Sequence, residues 1–331
     1  MTLARGTARL AVLAAIVVAA LVLSVRLGAV PMTTGEVIAA IRGEGDPTAS
    51  AIVRQLRLPR SVTAALVGAA LAASGATFQA LLRNPLAEPY ILGVSGGAAV
   101  GAVGAIVLGA AAMSTWVVPA AAFAGAIVAI LLVLRIAASV GSSIDTRVLL
   151  LAGVVVGSFF NACILLALTL TDAESFRSAI FWMMGSFAGS SWGAAGSFAL
   201  YFIPGLLILI ALGRALNLMA IGEETAAYLG TSVERVKLTA YTTASLLTAA
   251  SVAVAGVIGF VGLIIPHVIR LAWGGNYRFL IPASALLGAA FLAAADAIAR
   301  VAAAPTELPV GVITAFIGVP FFVWLLRRKP A

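Results

Sequence analysis

Apolar residues run through this chain in long blocks separated by short polar turns. Ten blocks stand out: Leu10 to Leu27, Ser61 to Leu82, Ile91 to Ala112, Trp116 to Ile136, Val148 to Leu170, Phe198 to Leu212, Leu238 to Ile258, Gly259 to Trp273, Phe279 to Ala299 and Leu308 to Leu326. A helix needs ~20 mostly apolar residues to cross the hydrocarbon core of a bilayer. The pattern therefore predicts an all-α, polytopic integral membrane protein of about ten transmembrane helices. The eighth block is short and contains Pro266. A broken backbone at that depth is tolerable only where protein or a water-filled cavity covers it, so this block is expected to face the bundle or a pathway. Between the fifth and sixth blocks, Phe176 to Phe187 (FRSAIFWMMGSF) is apolar but too brief to span. It reads as a helix re-entering from the outer face.

Composition agrees with the pattern: 63% of the 331 residues are apolar and 10% are charged, against roughly a quarter charged in soluble domains. No extramembrane run is long enough for a second domain, so residues 1–331 read as one membrane domain. The start resembles a signal peptide, with Arg5 and Arg9 before an apolar run, but no small-residue cleavage site follows. It is taken as the first spanning helix. With ten crossings both termini share a side, and cytoplasmic ends are enriched in Lys and Arg. An inside N-terminus puts thirteen of the 20 basic residues inside: Arg5, Arg9, Arg83, Arg135, Arg147, Arg214, Arg235, Lys237, Arg270, Arg278, Arg327, Arg328 and Lys329. The outer set is Arg26, Arg42, Arg54, Arg57, Arg60, Arg177 and Arg300, and five of these crowd the first outer loop and its junction with the second helix. That local excess calls for a function.

The net charge of +8 is scattered over helix ends and does not form an aromatic-interleaved stripe, so no nucleic-acid partner is expected. Glycines at helical spacing, such as Gly93, Gly97 and Gly101, read as packing positions and not as a dinucleotide fingerprint. No GxxxxGK[ST] loop occurs, and Lys237 and Lys329 lack a glycine-rich approach, so the chain is not expected to hydrolyse ATP itself. His267 is the only histidine, which excludes HExxH and histidine-rich metal sites; no metal or cofactor is expected. Ser95 and Ser158 have no histidine base near them in sequence. Cys163, the single cysteine, reads as a small buried hydrophobe.

Proton- or sodium-driven transporters usually place ionisable groups deep in the membrane. Here the spans are nearly free of charge, and the main exception, Asp296, has Arg300 one helical turn away to neutralise it. The driving energy is then expected to come from a partner through a cytoplasmic surface. The longest polar inner loop, 214–237, contains MAIGEETAAYLG, with Glu223 and Glu224 in the first turn of a short helix and Gly230 closing it. A rigid docking helix is one reading of it and an ordinary solvated loop the other. A secondary transporter or channel without an ATPase is the main alternative to an ATP-driven importer. A membrane enzyme comes third, for want of a polar catalytic cluster.

Several stretches together resemble the permease subunits of type II ABC importers, the family of vitamin B12, iron-siderophore and haem permeases. They are RLPR at Arg57 to Arg60, GAALAASGATFQALLRNPLAEPYILGVSGGAAVG from Gly68, FWMMGSF from Phe181, GEETAAYLG from Gly222, GFVGLIIPHVIR from Gly259, ADAIAR from Ala295 and ELPVGVITAFIGVPFFVWLL from Glu307. The resemblance implies a multi-pass protein of the bacterial inner membrane, with ten helices per subunit and a pathway on the axis of a homodimer. It also implies two cytoplasmic ATPase subunits and an extracytoplasmic substrate-binding protein. It assigns ATPase coupling to Gly222, Glu223, Ala226, Leu229 and Gly230, and binding-protein docking to Arg57, Arg60 and Arg300. A cytoplasmic gate falls on Asn84, Leu86, Asp145 and Thr146, where SSIDTR carries an aspartate that departs from the expected small hydroxyl residue. The fifth helix and FWMMGSF are implied to line the pathway. The cargo is expected to be a metal chelate, with ferric siderophore or haem first and cobalamin close behind.

Overall fold

The structure, a computed structural model, describes residues 3–28, 30–140 and 145–327. Arg328, Lys329 and Ser142 to Ile144 of the SSIDTR turn lie outside the described residues. The chain opens with α1 (Leu3–Arg26), α2 (Thr34–Arg42) and α3 (Pro47–Ala51), which continues through a π-helical turn, Ile52–Arg57, into α4 (Leu58–Leu81). Next come α5 (Val94–Val107), α6 (Val117–Ser139), α7 (Thr146–Thr169), α8 (Ala173–Met183), α9 (Trp192–Ile221) and α10 (Glu223–Tyr228). The chain closes with α11 (Val233–Ala255), α12 (Val261–Trp273), α13 (Tyr277–Val301) and α14 (Val310–Arg327). No strand occurs among the described residues.

All ten expected blocks are helical. Among the described residues, seven helices are long and apolar enough to cross a membrane alone: α1, the run Pro47–Leu81, α6, α7, α9, α11 and α13. The apolar parts of α5, α12 and α14 are shorter. At 1.5 Å per residue the 14 residues of α5 reach ~21 Å, less than the ~30 Å hydrocarbon core. A 3-10 turn, Pro89–Leu92, precedes α5, and irregular backbone at 256–260 precedes α12.

Helix α4 is the axis of the bundle. Its most apolar window is 89% buried, whereas that of α1 is 17% buried and presents most of its surface outward. The small residues of GAALAASGA make this possible. A Cβ added to Gly68 would stand 2.2 Å from the Gly288 carbonyl oxygen, so α4 and α13 touch backbone to backbone. Gly97 does the same for α5 against α6, 2.4 Å from the Gly125 oxygen. Small side chains are what lets helices associate by close packing where lipid supplies no hydrophobic drive.

Helix α12 runs through Pro266 without a break, which corrects the expectation that this proline interrupts the block. A proline leaves the carbonyl four residues earlier without its helical donor, and Gln79 Nε2 from α4 supplies one to the Gly262 oxygen at 3.2 Å. The true interruption precedes α12, at 256–260. Several of its backbone groups find partners in neighbouring elements, as irregular chain in a bundle requires. The Tyr90 hydroxyl accepts from Ile258 N at 2.9 Å and donates to the Ile258 oxygen. Glu88 Oε1 accepts from Phe260 N at 2.5 Å, holding Phe260 in the left-handed region at φ 70°. Ser186 N donates to the Ala255 oxygen, and Val310 N and Gly311 N donate to the Gly185 and Met184 oxygens. The ends of α8 and α11 and the start of α14 are thereby stitched together.

Outside the bundle, α2 carries a complete capping box. The Thr33 backbone N–H donates to Glu36 at 2.6 Å and holds that carboxyl below its ordinary range. Helix α8 is too short to span, as expected, and is capped by Asp172, which accepts from Glu174 N and Ser175 N.

Candidate functional site

Two cavities meet where the helices are interrupted. One, of about 600 Å³, is lined by Met183, Met184, Val257, Phe260, Phe316 and Pro320 among others. The second, of about 410 Å³, lies along α5 and α7 and includes Ser95, Ser158 and Asn161. Both include Met183 and Val257, so the end of the FWMMGSF segment and the irregular stretch before α12 form their shared wall. Neither is lined by a charged side chain. Ser158 donates its hydroxyl to the Val154 oxygen one turn back at 2.9 Å. Among the described residues, no group of three or more His, Cys, Asp or Glu could hold a metal ion. The surface of both cavities is apolar with a few hydroxyl and amide groups.

Charge collects at the two ends of α4. At its N-terminal end, Asp296 of α13 is 0% exposed and lies between two guanidiniums. Arg60 reaches it at 2.9 Å and Arg300 at 3.2 Å. Arg60 also pairs with Glu307 at 2.9 Å. The structure brings Arg57, Arg60 and Arg300 to one place, but it does not point all three outward as the sequence reading expected. Arg57 is 5% exposed and donates to the Val25, Arg26 and Val30 oxygens. Arg300 is 4% exposed and donates to the Ser24 and Leu27 oxygens and to the Ser24 hydroxyl. The reason is local. The last four carbonyls of α1 have no partner within their helix, and these two arginines cap those of Ser24, Val25 and Arg26 from the side. Of the three, Arg60 alone engages an exposed carboxylate, Glu307.

At the C-terminal end of α4 the carboxylate is Glu223, the first residue of α10. Lys237 of α11 approaches it at 2.5 Å and Arg83, just past α4, at 3.0 Å. The Thr146 hydroxyl at the start of α7 donates to it at 3.4 Å. Asn84 Oδ1 accepts from Leu86 N at 2.9 Å and shapes the turn after α4, while Asp145 caps α7 by accepting from Arg147 N at 2.7 Å. Helix α10 has two faces. Ala226 is fully buried and Glu223 half-buried, whereas Tyr228 is 91% and Leu229 62% exposed. Gly222 and Gly230 bracket the helix, Gly230 in the left-handed region at φ 81°. Tyr228 is the most exposed side chain of this helix and was passed over by sequence reasoning; its place two residues before the closing glycine, on the face opposite Ala226, was the available signal. Arg83, Lys237 and Glu88 were also missed, because their partners lie far away in sequence.

A bundle of long apolar helices with apolar cavities beside irregular backbone is the architecture of a polytopic membrane protein. The chain belongs to the FecCD transport family, whose profile matches residues 16–328. It is 47% identical over 282 residues to the cobalamin import system permease BtuC of Halobacterium salinarum, covering 85% of this chain and 75% of that one. Against the vitamin B12 import system permease BtuC of Escherichia coli it is 42% identical over 282 residues, 85% of each chain. The ABC transporter permease YvrB of Bacillus subtilis is 44% identical over 289 residues, covering 87% of this chain and 82% of that one. A solved metal-chelate type ABC transporter in an inward-facing conformation superposes with a TM-score of 0.86 at 33% identity, covering 97% of this chain and 99% of that one. The chain is thus an ABC importer permease of this type, a multi-pass protein of the inner membrane.

Proposed function

We propose that this chain carries a metal chelate, cobalamin first, through the membrane by alternating access. It works as a homodimer with two cytoplasmic ABC ATPase subunits and an extracytoplasmic binding protein, and both termini lie in the cytoplasm. The observation that carries the cargo is the likeness to two permeases named for cobalamin or vitamin B12 import. It moves cobalamin ahead of the ferric siderophore and haem that the sequence placed first. The uncharged cavities and their Met183 to Val257 wall suit such a bulky solute.

The exposed Tyr228 and Leu229, with Gly230 behind them, form the ATPase-docking face of α10, and Gly222 and Ala226 seat that helix on the bundle. Asn84, Leu86, Asp145 and Thr146 form the cytoplasmic gate. At the other end Arg60 offers the docking contact to a binding-protein carboxylate, in the place Glu307 now occupies, while Arg57 and Arg300 hold the surface beneath it. The assay is uptake into proteoliposomes containing the permease, its ATPase and its binding protein. ATP-dependent accumulation of cyanocobalamin is expected. Accumulation of ferric siderophore or haem without cobalamin overturns the cargo, and uptake without ATP or ATPase overturns the mechanism.

A further inference from the structure

The Glu223 carboxylate is placed differently from the residues that present α10 to the outside. Both of its oxygens are engaged within the permease: Oε1 by Arg83 and Thr146, and Oε2 by Lys237. Those partners come from the turn after α4, the first turn of α7 and the second turn of α11. Arg83 immediately precedes Asn84, and Thr146 immediately follows Asp145, so each gate turn sends one side chain to the same carboxylate. We infer that Glu223 is a positioning residue that joins the docking helix to both halves of the gate, acting inside the permease and not as a contact for the ATPase. This inference rests on the coupling and gating roles proposed above.

Three further observations support it. Helix α10 is six residues long, with Ala226 fully buried on the same side as Glu223, so a push on Tyr228 and Leu229 displaces the carboxylate with the whole helix. Arg83 sits at φ 46°, in the left-handed region that a non-glycine residue adopts only where its surroundings fix it. Its ion pair to Glu223 and the Asn84 N–H bond to the Gln79 oxygen at 3.2 Å are two such restraints. Finally, the group is graded in exposure, with the Lys237 side chain at 7%, Glu223 at 28% and Arg83 at 47%. The Lys237 contact is the anchor, and the Arg83 contact is wet enough to open and close. A charged hydrogen bond fixes direction as well as distance. A carboxylate shared between two turns therefore passes a displacement of α10 to both, provided the arrangement has two states.

The test uses the assembled permease–ATPase complex in proteoliposomes, with Cys163→Ala removing the natural cysteine and Leu86→Cys reporting on the gate. A membrane-impermeant maleimide is applied from the ATPase side with and without ATP. With Glu223 intact, ATP is expected to change the labelling rate. Glu223→Gln keeps the shape and removes the charge; it is expected to cut that change at least fivefold while the ATPase still co-purifies. Arg83→Gln and Thr146→Val each sever one arm and are expected to cut it about twofold, and Arg83→Gln serves if Glu223→Gln does not yield a monodisperse protein. An undiminished ATP response in Glu223→Gln overturns the inference, as does loss of co-purification, which would make Glu223 an ATPase contact. A Tyr228→Glu/Leu229→Glu variant that still binds its ATPase and still responds to ATP would instead refute the docking reading itself.

Discussion

The two ends of α4 carry the same chemistry in different solvents. At each, one carboxylate is held by two cations: Asp296 by Arg60 and Arg300, Glu223 by Lys237 and Arg83. The Asp296 side chain is 1% exposed and that of Glu223 is 28%. A desolvated ion cannot part from its counter-ions without standing unpaired in a medium that solvates it poorly, whereas a wet pair exchanges its partner for water at little cost. The first cluster is therefore a staple, and the second is a joint. The backbone agrees: the staple ties off the end of α1 through buried carbonyls, while the joint links turns and the starts of helices.

The sharpest way to break this contrast is Asp296→Ala. It strands the buried Arg300 guanidinium without its carboxylate and leaves Arg60 only the exposed Glu307, and removing one member of such a buried group costs about 3–5 kcal/mol. The variant is expected to lose its monodisperse state on mild heating in detergent, well before the parent chain. Parent-like thermal resistance would show that the cluster does not hold the fold. A smaller loss is expected from Arg57→Met, which keeps most of the side chain's length but orphans the carbonyls at the end of α1. Unsatisfied buried polar groups cost about 1–3 kcal/mol, and the same unfolding measurement should place this variant between Asp296→Ala and the parent.

Much of this was legible in the sequence. All ten apolar blocks appear as helices, since block length and hydropathy depend on nothing distant. The Asp296–Arg300 pair was also read correctly, because both members sit one turn apart on one helix. The break near α12 was assigned to Pro266, since a proline advertises itself; that Gln79 repairs its lost bond comes from a residue 183 positions away. The direction in which Arg57 and Arg300 point was illegible for the same reason. Their partners are backbone oxygens of α1, and backbone carries no sequence signal. Glu223 was singled out as part of a docking surface, but which way it faces depends on Arg83, Thr146 and Lys237 arriving from three other elements.

The smallest effect on stability is expected from Arg83→Gln, and it sharpens the comparison most. The Arg83 side chain is 47% exposed, and exposed pairs contribute roughly 0–1 kcal/mol because the Coulomb gain is offset by hydration and by the entropy of holding a long side chain. Glu223 keeps Lys237, so its charge is not stranded. Heat resistance should then match the parent to within about 0.5 kcal/mol, at the low end of that range. Salt provides a second comparison. Raising ionic strength from about 0.1 to about 1 M shortens the screening length from ~10 to ~3 Å, which weakens exposed pairs and leaves buried ones almost untouched. In the parent, high salt should reduce the ATP-dependent response of the gate toward that of Arg83→Gln while thermal resistance stays level. If salt instead lowers thermal resistance and spares the gate, the two clusters have been assigned the wrong way round.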